Sequence, residues 1–188
     1  MNKFLQNIPV PVRDVACFIV ILLCAHFFWK FTVVGDEGST AVQFFGIDIS
    51  RPFNFMIRQV AQSACGLLQF FGSDVGLSGN ALAFPNGYGI LVVWGCAGIK
   101  QMYIFFCIIA LFKGSWRHKS WYIPAGFVVI HLFNILRIAL IAMMTEHHPQ
   151  RFDFLHGFLF KYLFYFVIFM MWALWNEIFV KKRNKNLA

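Results

Sequence analysis

The chain has 188 residues, of which 60% are hydrophobic and only 13% are charged, with a formal net charge of +8. A soluble domain of this length could not bury so much apolar side chain, and intrinsic disorder requires low hydrophobicity. A nucleic-acid partner is not expected either, because nucleic-acid-binding domains are basic without being this apolar. The composition therefore predicts one integral membrane domain over residues 1–188.

Four apolar runs predict an all-α membrane fold with four transmembrane helices. A helix needs about 20 apolar residues to cross a bilayer. The first run is longer than the core of a signal peptide and has no small-residue cleavage site, so we expect a retained anchor. The second run is short, and its helix is expected to begin near Cys96. The predicted spans cover about residues 15–34, 96–112, 121–145 and 155–180.

Residues 35–95 are predicted to form one outer segment that contains an amphipathic helix. Within it, residues 53–71 are apolar, but Arg58, Gln62 and Gln69 recur at helical spacing on one side. This pattern is typical of a helix that lies on the membrane surface. A spanning helix is the alternative, but it would move the next basic loop to the outer side, against the rule that basic loops stay inside.

A short β-hairpin is predicted between the amphipathic helix and the second span. Gly79-Asn80 and Pro85-Asn86-Gly87 are turn signals. We expect strands near residues 80–84 and 88–94, where the second contains a β-branched and aromatic run. Such a hairpin would end just before Cys96 and place this residue at the start of the second span.

The distribution of basic residues predicts that both termini are cytoplasmic. Cytoplasmic loops of membrane proteins carry an excess of Lys and Arg. In this orientation the acidic Asp36 and Glu37 follow the first span on the outer side. The cytoplasmic side then holds Lys3, Arg13, Lys113, Arg117, Lys119, Lys181, Lys182, Arg183 and Lys185.

Cys96 differs from the other cysteines in its surroundings. Three cysteines lie inside apolar runs and are expected to pack there: Cys17, Cys24 and Cys107. Cys96 is flanked by glycines at a predicted strand-to-helix corner, where the helix dipole would stabilise a thiolate. A plain turn cysteine and a disulfide with Cys65 are the two alternatives.

Arg137 places a charge inside the third predicted span. Inserting a charged side chain there costs at least about 2.5–3.5 kcal/mol, so such a residue is expected to have an interaction partner or a function. Cys96 lies 17 residues before Lys113, and Arg137 lies 16 residues after Trp121. At 1.5 Å per residue these separations are about 26 and 24 Å, so both residues are expected at the same depth near the outer surface. Asn134, one turn away, is expected to orient the guanidinium. The alternative is a structural arginine that bonds backbone carbonyls or lipid phosphate.

His156 opens the last predicted span and is the candidate general base. His147 and His148 lie in the preceding loop and are expected to be solvated. A metal site built from these three histidines and Asp153 has no recognised ligand spacing. We therefore predict no metal ion and no cofactor.

Lys100 and Lys161 interrupt their spans just below the expected site. They are candidates to bind lipid phosphate or an acidic group of a substrate. The alternative is that their stems extend through apolar surroundings to bring the charged ends to the membrane interface.

These residues carry a family resemblance. The chain has Gly95-Cys96-Ala97-Gly98 before a membrane helix, then Asn134-Ile135-Leu136-Arg137-Ile138, then His156 at the head of the last helix. This order resembles the exosortase/archaeosortase family of membrane-embedded cysteine transpeptidases, and in particular its short, Bacteroidetes-like members. The likeness covers roughly residues 87–175. Two departures are Ala97, where the family often has serine, and four predicted spans where many members have about eight.

The resemblance implies an activity and a set of roles. Cys96 would attack the scissile carbonyl of a C-terminal sorting signal, His156 would transfer the proton, and Arg137 would stabilise the oxyanion or the thiolate. The substrate would be an exported protein that ends in a short motif, one transmembrane helix and a basic tail. Its acceptor, a nucleophile or water, is unknown. The resemblance places the protein in membrane lipid of the bacterial cytoplasmic (inner) membrane, with the active site on the outer side.

Two other functions remain open at the level of sequence. A non-enzymatic membrane subunit of a transport or envelope complex would use Arg137 for packing or lipid binding and Cys96 as a structural residue. A hydrolytic intramembrane protease would share the same site and differ only in the acceptor.

Overall fold

The computed structural model of the chain describes residues 9–35 and 41–181. Several charges that entered the topology argument lie outside the described residues, namely Lys3, Asp36, Glu37, Lys182, Arg183 and Lys185.

Five α-helices dominate the part of the chain that the structure describes. They are α1 (Val10–Thr32), α2 (Ser50–Phe70), α3 (Ile99–Leu111), α4 (Trp116–Thr145) and α5 (Phe160–Trp175). Short 3₁₀ turns cover Trp94–Cys96 and Pro149–Arg151, and π-helical turns cover Phe154–Leu159 and Asn176–Lys181. The helical stretch that contains α5 therefore extends beyond it in both directions.

Two small antiparallel sheets connect α1, α2 and α3. The first contains β1 (Val33–Gly35), β2 (Val42–Phe44) and β3 (Ile47–Asp48), and the second contains β4 (Gly76–Ser78), β5 (Ala81–Ala83) and β6 (Gly89–Leu91). In the second sheet Leu82 faces Ile90 on one side and Leu77 on the other. Neither the first sheet nor strand β4 was predicted from the sequence.

Three helical stretches are long and apolar enough to cross a membrane: Val10–Thr32, Trp116–Thr145 and Pro149–Val180. The chain is thus a mostly helical, multi-pass membrane protein. Helix α3 has 13 residues, which is about 20 Å of helix against a hydrocarbon thickness near 30 Å. The second predicted span is therefore shorter than expected, and a four-span arrangement stays a prediction.

Contacts at one end of the bundle show how the long helices alternate in direction. The Lys113 ammonium, after α3, forms a 2.8 Å ion pair with Asp14 near the start of α1. The Lys113 carbonyl accepts a 3.0 Å hydrogen bond from the indole of Trp175 at the end of α5. The start of α3, the far part of α4 and the start of the last helical stretch therefore lie together at the opposite end.

Helix α2 is amphipathic, and its apolar side is covered by protein. It begins slightly earlier than predicted, and Arg58, Gln62 and Gln69 are exposed. The opposite side packs against α4 and the 3₁₀ turn before α3. This side joins the buried cluster that also contains Cys96 and Ile138. Helix α2 thus supports the turn that carries Cys96.

Lys119 corrects the predicted boundary between the second and third spans. The sequence placed it in a cytoplasmic loop, but helix α4 already begins at Trp116, and Lys119 is only 3% exposed. Its ammonium donates hydrogen bonds of 2.7 Å to the Ala110 carbonyl and 2.6 Å to the Phe112 carbonyl. These carbonyls belong to the end of α3, where a helix has no intrahelical donors left. Lys119 therefore closes the turn between α3 and α4.

Replacing Lys119 by methionine should lower the free energy of unfolding by about 1–3 kcal/mol, because two buried carbonyls lose their donor. Reversible unfolding in mild detergent, followed by circular dichroism, measures this loss. Arg117→Met is the matched control, because Arg117 is exposed in the same turn of α4. Equal stability of the two variants would show that the Lys119 hydrogen bonds contribute nothing.

Candidate active site

Cys96 ends a 3₁₀ turn that α4 holds in place. Its amide donates a 2.8 Å hydrogen bond to the Val93 carbonyl, and its own carbonyl accepts a 2.7 Å bond from Asn134 Nδ2. Asn134 is fully buried, and its Oδ1 atom has no hydrogen-bond partner among the described residues, so it accepts no hydrogen bond from Arg137 and does not orient the guanidinium as predicted. Gly98 follows with a φ of +80°, and a Cβ there would lie 3.1 Å from Asn134 Nδ2. Only glycine permits both this backbone conformation and this close approach.

His156 lies directly against the thiol. Its Nε2 atom is 3.4 Å from Cys96 Sγ, within hydrogen-bonding distance for sulfur. The imidazole stacks on the ring of Phe152, with centroids 5.2 Å apart and an interplanar angle of 6°. A π-helical turn over Phe154–Leu159 carries His156. Such turns add one residue to a helical turn and recur at functional sites.

Arg137 is buried beside the same thiol. Its side chain is 5% exposed, and its Nε atom has no hydrogen-bond partner among the described residues. The charge of the guanidinium favours the thiolate form of Cys96, and the guanidinium lies near the His156 imidazole. The Asp153 carboxylate also lies near that imidazole.

The protonation of Cys96 differs from the expectation based on the helix dipole. Cys96 lies in the turn ahead of α3, and burial raises the pKa of its thiol above the ordinary value of 9.0. The positive charge of Arg137 offsets part of this effect. The expected stabilisation of a resting thiolate is therefore outweighed by desolvation. Cys96 rests as a neutral thiol with a proton acceptor at its side.

A cavity of about 700 Å³ opens next to the Cys96–His156 pair. Arg137 and His156 line it, together with Gly95 and Gly157 from the two segments that meet there. Three lysines also line the cavity: Lys30, Lys100 and Lys161. The two lysines singled out in the sequence thus lie at the site rather than apart from it.

Several candidates from the sequence are not brought to the site. Cys65 has a buried free thiol 3.7 Å from the Val75 carbonyl, and Cys96 is also free, so the proposed disulfide is absent. His147 and His148 are exposed in the loop after α4. Within residues 9–35 and 41–181, no three His, Cys, Asp or Glu side chains are grouped as metal ligands.

Three residues of the site were not predicted from the sequence. Phe152 precedes His156 by four residues, the spacing of neighbours on one helix face, and this spacing could have identified it. Asp153 was weighed only as a metal ligand. Lys30 interrupts the first apolar run as Lys100 and Lys161 interrupt theirs, so the same signal was available.

Because the pKa of Cys96 is raised, alkylation of this thiol should be slow at neutral pH and should accelerate only at alkaline pH. Arg137→Gln should move the profile to still higher pH, because it removes the positive charge that favours the thiolate. Timed exposure to iodoacetamide, followed by peptide mass spectrometry, gives the rate at each cysteine. The same thiol in protein unfolded by denaturant is the reference. If Cys96 reacts faster in the folded than in the unfolded protein at neutral pH, the thiolate is the resting form and the assignment fails.

Comparison with known proteins gives one match. A family model described as Transmembrane exosortase (Exosortase_EpsH) matches residues 39–173, more than half of the chain. No curated protein and no solved structure matches the chain. The matched residues include the turn with Cys96, helix α4 with Arg137, and the π-helical turn with His156. The chain therefore belongs to the transmembrane exosortase family.

Proposed function

We propose that the protein is a membrane-embedded cysteine transpeptidase that cleaves C-terminal sorting signals of exported proteins. The observation that supports this function most directly is the 3.4 Å approach of Cys96 Sγ to His156 Nε2, beside the buried Arg137. A nucleophile, a base within reach and a charge that favours the ionised nucleophile are the groups that acyl transfer requires.

In the first half of the reaction, the Cys96 sulfur attacks the scissile carbonyl carbon of the substrate. The thiol proton passes to His156 Nε2 as the carbon–sulfur bond forms. The tetrahedral intermediate then collapses, the carbon–nitrogen bond breaks, and His156 returns the proton to the leaving amine. The products are a thioester on Cys96 and a released C-terminal helix with its basic tail.

Arg137 is suited to stabilise the negative charge that develops on the substrate carbonyl oxygen in this step. Arg137 lines the cavity beside Cys96, so its guanidinium can donate to the carbonyl oxygen as that oxygen becomes anionic. The guanidinium also favours the thiolate that forms as Cys96 loses its proton. Burial strengthens both interactions, since the effective dielectric is lower away from water.

In the second half, an acceptor nucleophile attacks the thioester carbonyl. His156 takes the proton of the acceptor, the carbon–sulfur bond breaks, and the Cys96 sulfur leaves as a thiolate that recovers this proton. An amine or hydroxyl acceptor gives transfer of the exported protein, whereas water gives hydrolysis. The two outcomes use the same three side chains.

The proposed orientation places this chemistry at the outer face of the bacterial cytoplasmic membrane, with both termini in the cytoplasm. The end of the bundle opposite Cys96 carries Lys113 and Arg117, which fits the preference of basic residues for the cytoplasmic side. A substrate helix with a basic cytoplasmic tail would then run parallel to the bundle and present its scissile bond near Cys96.

Cys96→Ala should abolish removal of C-terminal helices from exported proteins, because no other group can form the thioester. His156→Ala should reduce the rate by about 10²–10⁴-fold, the usual contribution of a general base. His147→Ala should leave processing near the wild-type level, because His147 is exposed away from the thiol. C-terminal peptides of exported proteins, quantified by mass spectrometry in strains with each variant, measure processing.

Cys65→Ala is the matched control for Cys96→Ala, because it also removes a buried thiol but lies away from the site. Continued processing in the Cys96→Ala strain would refute the enzyme and favour a non-enzymatic membrane subunit. The mass of the new C-terminus separates the two acceptors, since a free carboxylate indicates hydrolysis and an added group indicates transfer.

A further inference from the structure

Lysine side chains from three different helices line the cavity beside Cys96. Lys30 lies near the end of α1, Lys100 in the first turn of α3 and Lys161 in the first turn of α5. The chain separates them widely in sequence, and the fold brings them to one cavity of about 700 Å³. Arg137 adds a fourth positive charge at the cavity wall.

Within the part of the chain that the structure describes, no carboxylate neutralises these lysines. The ion pair found there joins Lys113 to Asp14, at the opposite end of the bundle. Lys30, Lys100 and Lys161 line one cavity, and like charges held close together repel one another. Such repulsion raises the free energy of the empty cavity and favours an anionic occupant.

The remaining walls indicate what kind of anion fits. Trp29, Val33 and Phe164 give the cavity an apolar side next to its cationic side. A phosphate group has several oxygens and can accept hydrogen bonds from several ammonium groups at once. Lipid headgroups present such a group near the ends of membrane helices, and Lys30 and Lys100 lie near the ends of α1 and α3.

We propose that this cavity binds a phosphate group, which Lys30, Lys100 and Lys161 hold beside the thiol of Cys96. The phosphate of a lipid headgroup and free phosphate share this chemistry, and the apolar wall favours the lipid. The proposal concerns binding alone and does not depend on the transfer reaction. It can therefore be tested on protein that lacks the nucleophile.

The test uses full-length Cys96→Ala protein in neutral detergent and two ligands that differ only in phosphate. Dioctanoyl phosphatidic acid should bind with one molecule per chain, and dioctanoylglycerol should bind at least about tenfold more weakly, as expected for the loss of charge-assisted hydrogen bonds. Native mass spectrometry measures both. Inorganic phosphate is a third arm, and binding as tight as that of the lipid would identify free phosphate as the ligand. Equal binding of the two lipids would overturn the proposal.

Lys161→Gln should weaken phosphatidic acid binding about tenfold, and Lys161→Arg should retain most of it, because the charge is preserved. Lys100→Gln should have a similar effect. Arg117→Gln is the matched control, since it removes an exposed cation at the far end of the bundle. A loss of binding in the control as large as in the lysine variants would indicate attraction to net charge only, and would refute the site.

Thermal unfolding of every variant separates loss of the site from loss of the fold.

Binding of phosphatidic acid should also weaken as salt is added, because exposed charges are screened. Neutralising Asp36 and Glu37, which follow the cavity residue Gly35 in the sequence, should leave binding intact or tighten it. Loss of binding on neutralising these two acids would contradict a site made by the lysines.

Discussion

The hydrogen bond from Asn134 Nδ2 to the Cys96 carbonyl is the contact on which the site depends. It is 2.7 Å long and buried, so breaking it leaves unsatisfied groups at a cost of about 1–3 kcal/mol each. It joins the turn before α3 to α4 at a point where Gly98 allows close approach. Because Arg137 lies one helical turn beyond Asn134, the same bond also brings the Arg137 backbone close to the turn that carries Cys96.

The sequence predicted this pairing because helices have a fixed rise and one short loop joins α3 to α4. Counting residues from that loop therefore placed Cys96 and Arg137 at equal depth. The count was less secure for His156, which lies far from a well-marked boundary and is carried by a π-helical turn that shifts the helical register. The position of His156 at the head of the last span made it a candidate base, and the resemblance to the exosortase family implied that role.

Other features could not be predicted from local patterns. Strands β1 to β6 have two or three residues each, which is too short for an alternation of apolar and polar residues to be visible. Lys119 was counted as a loop charge, although it is buried and closes the end of α3. Its role depends on which carbonyls meet it, and only the fold determines that. The amphipathic pattern of α2 was evident, but not that protein would cover its apolar side.

The charges around Cys96 connect the two proposals. Burial keeps the thiol neutral at rest, and the charge of Arg137 favours the thiolate once the proton moves. Arg137 also lines the cavity that the three lysines share, so a phosphate bound there would lie next to the guanidinium that the proposed reaction uses. A negative charge close to Arg137 would offset part of the positive charge that favours the thiolate. Phosphate binding and ionisation of Cys96 are therefore expected to oppose one another, because each changes the charge that the other experiences.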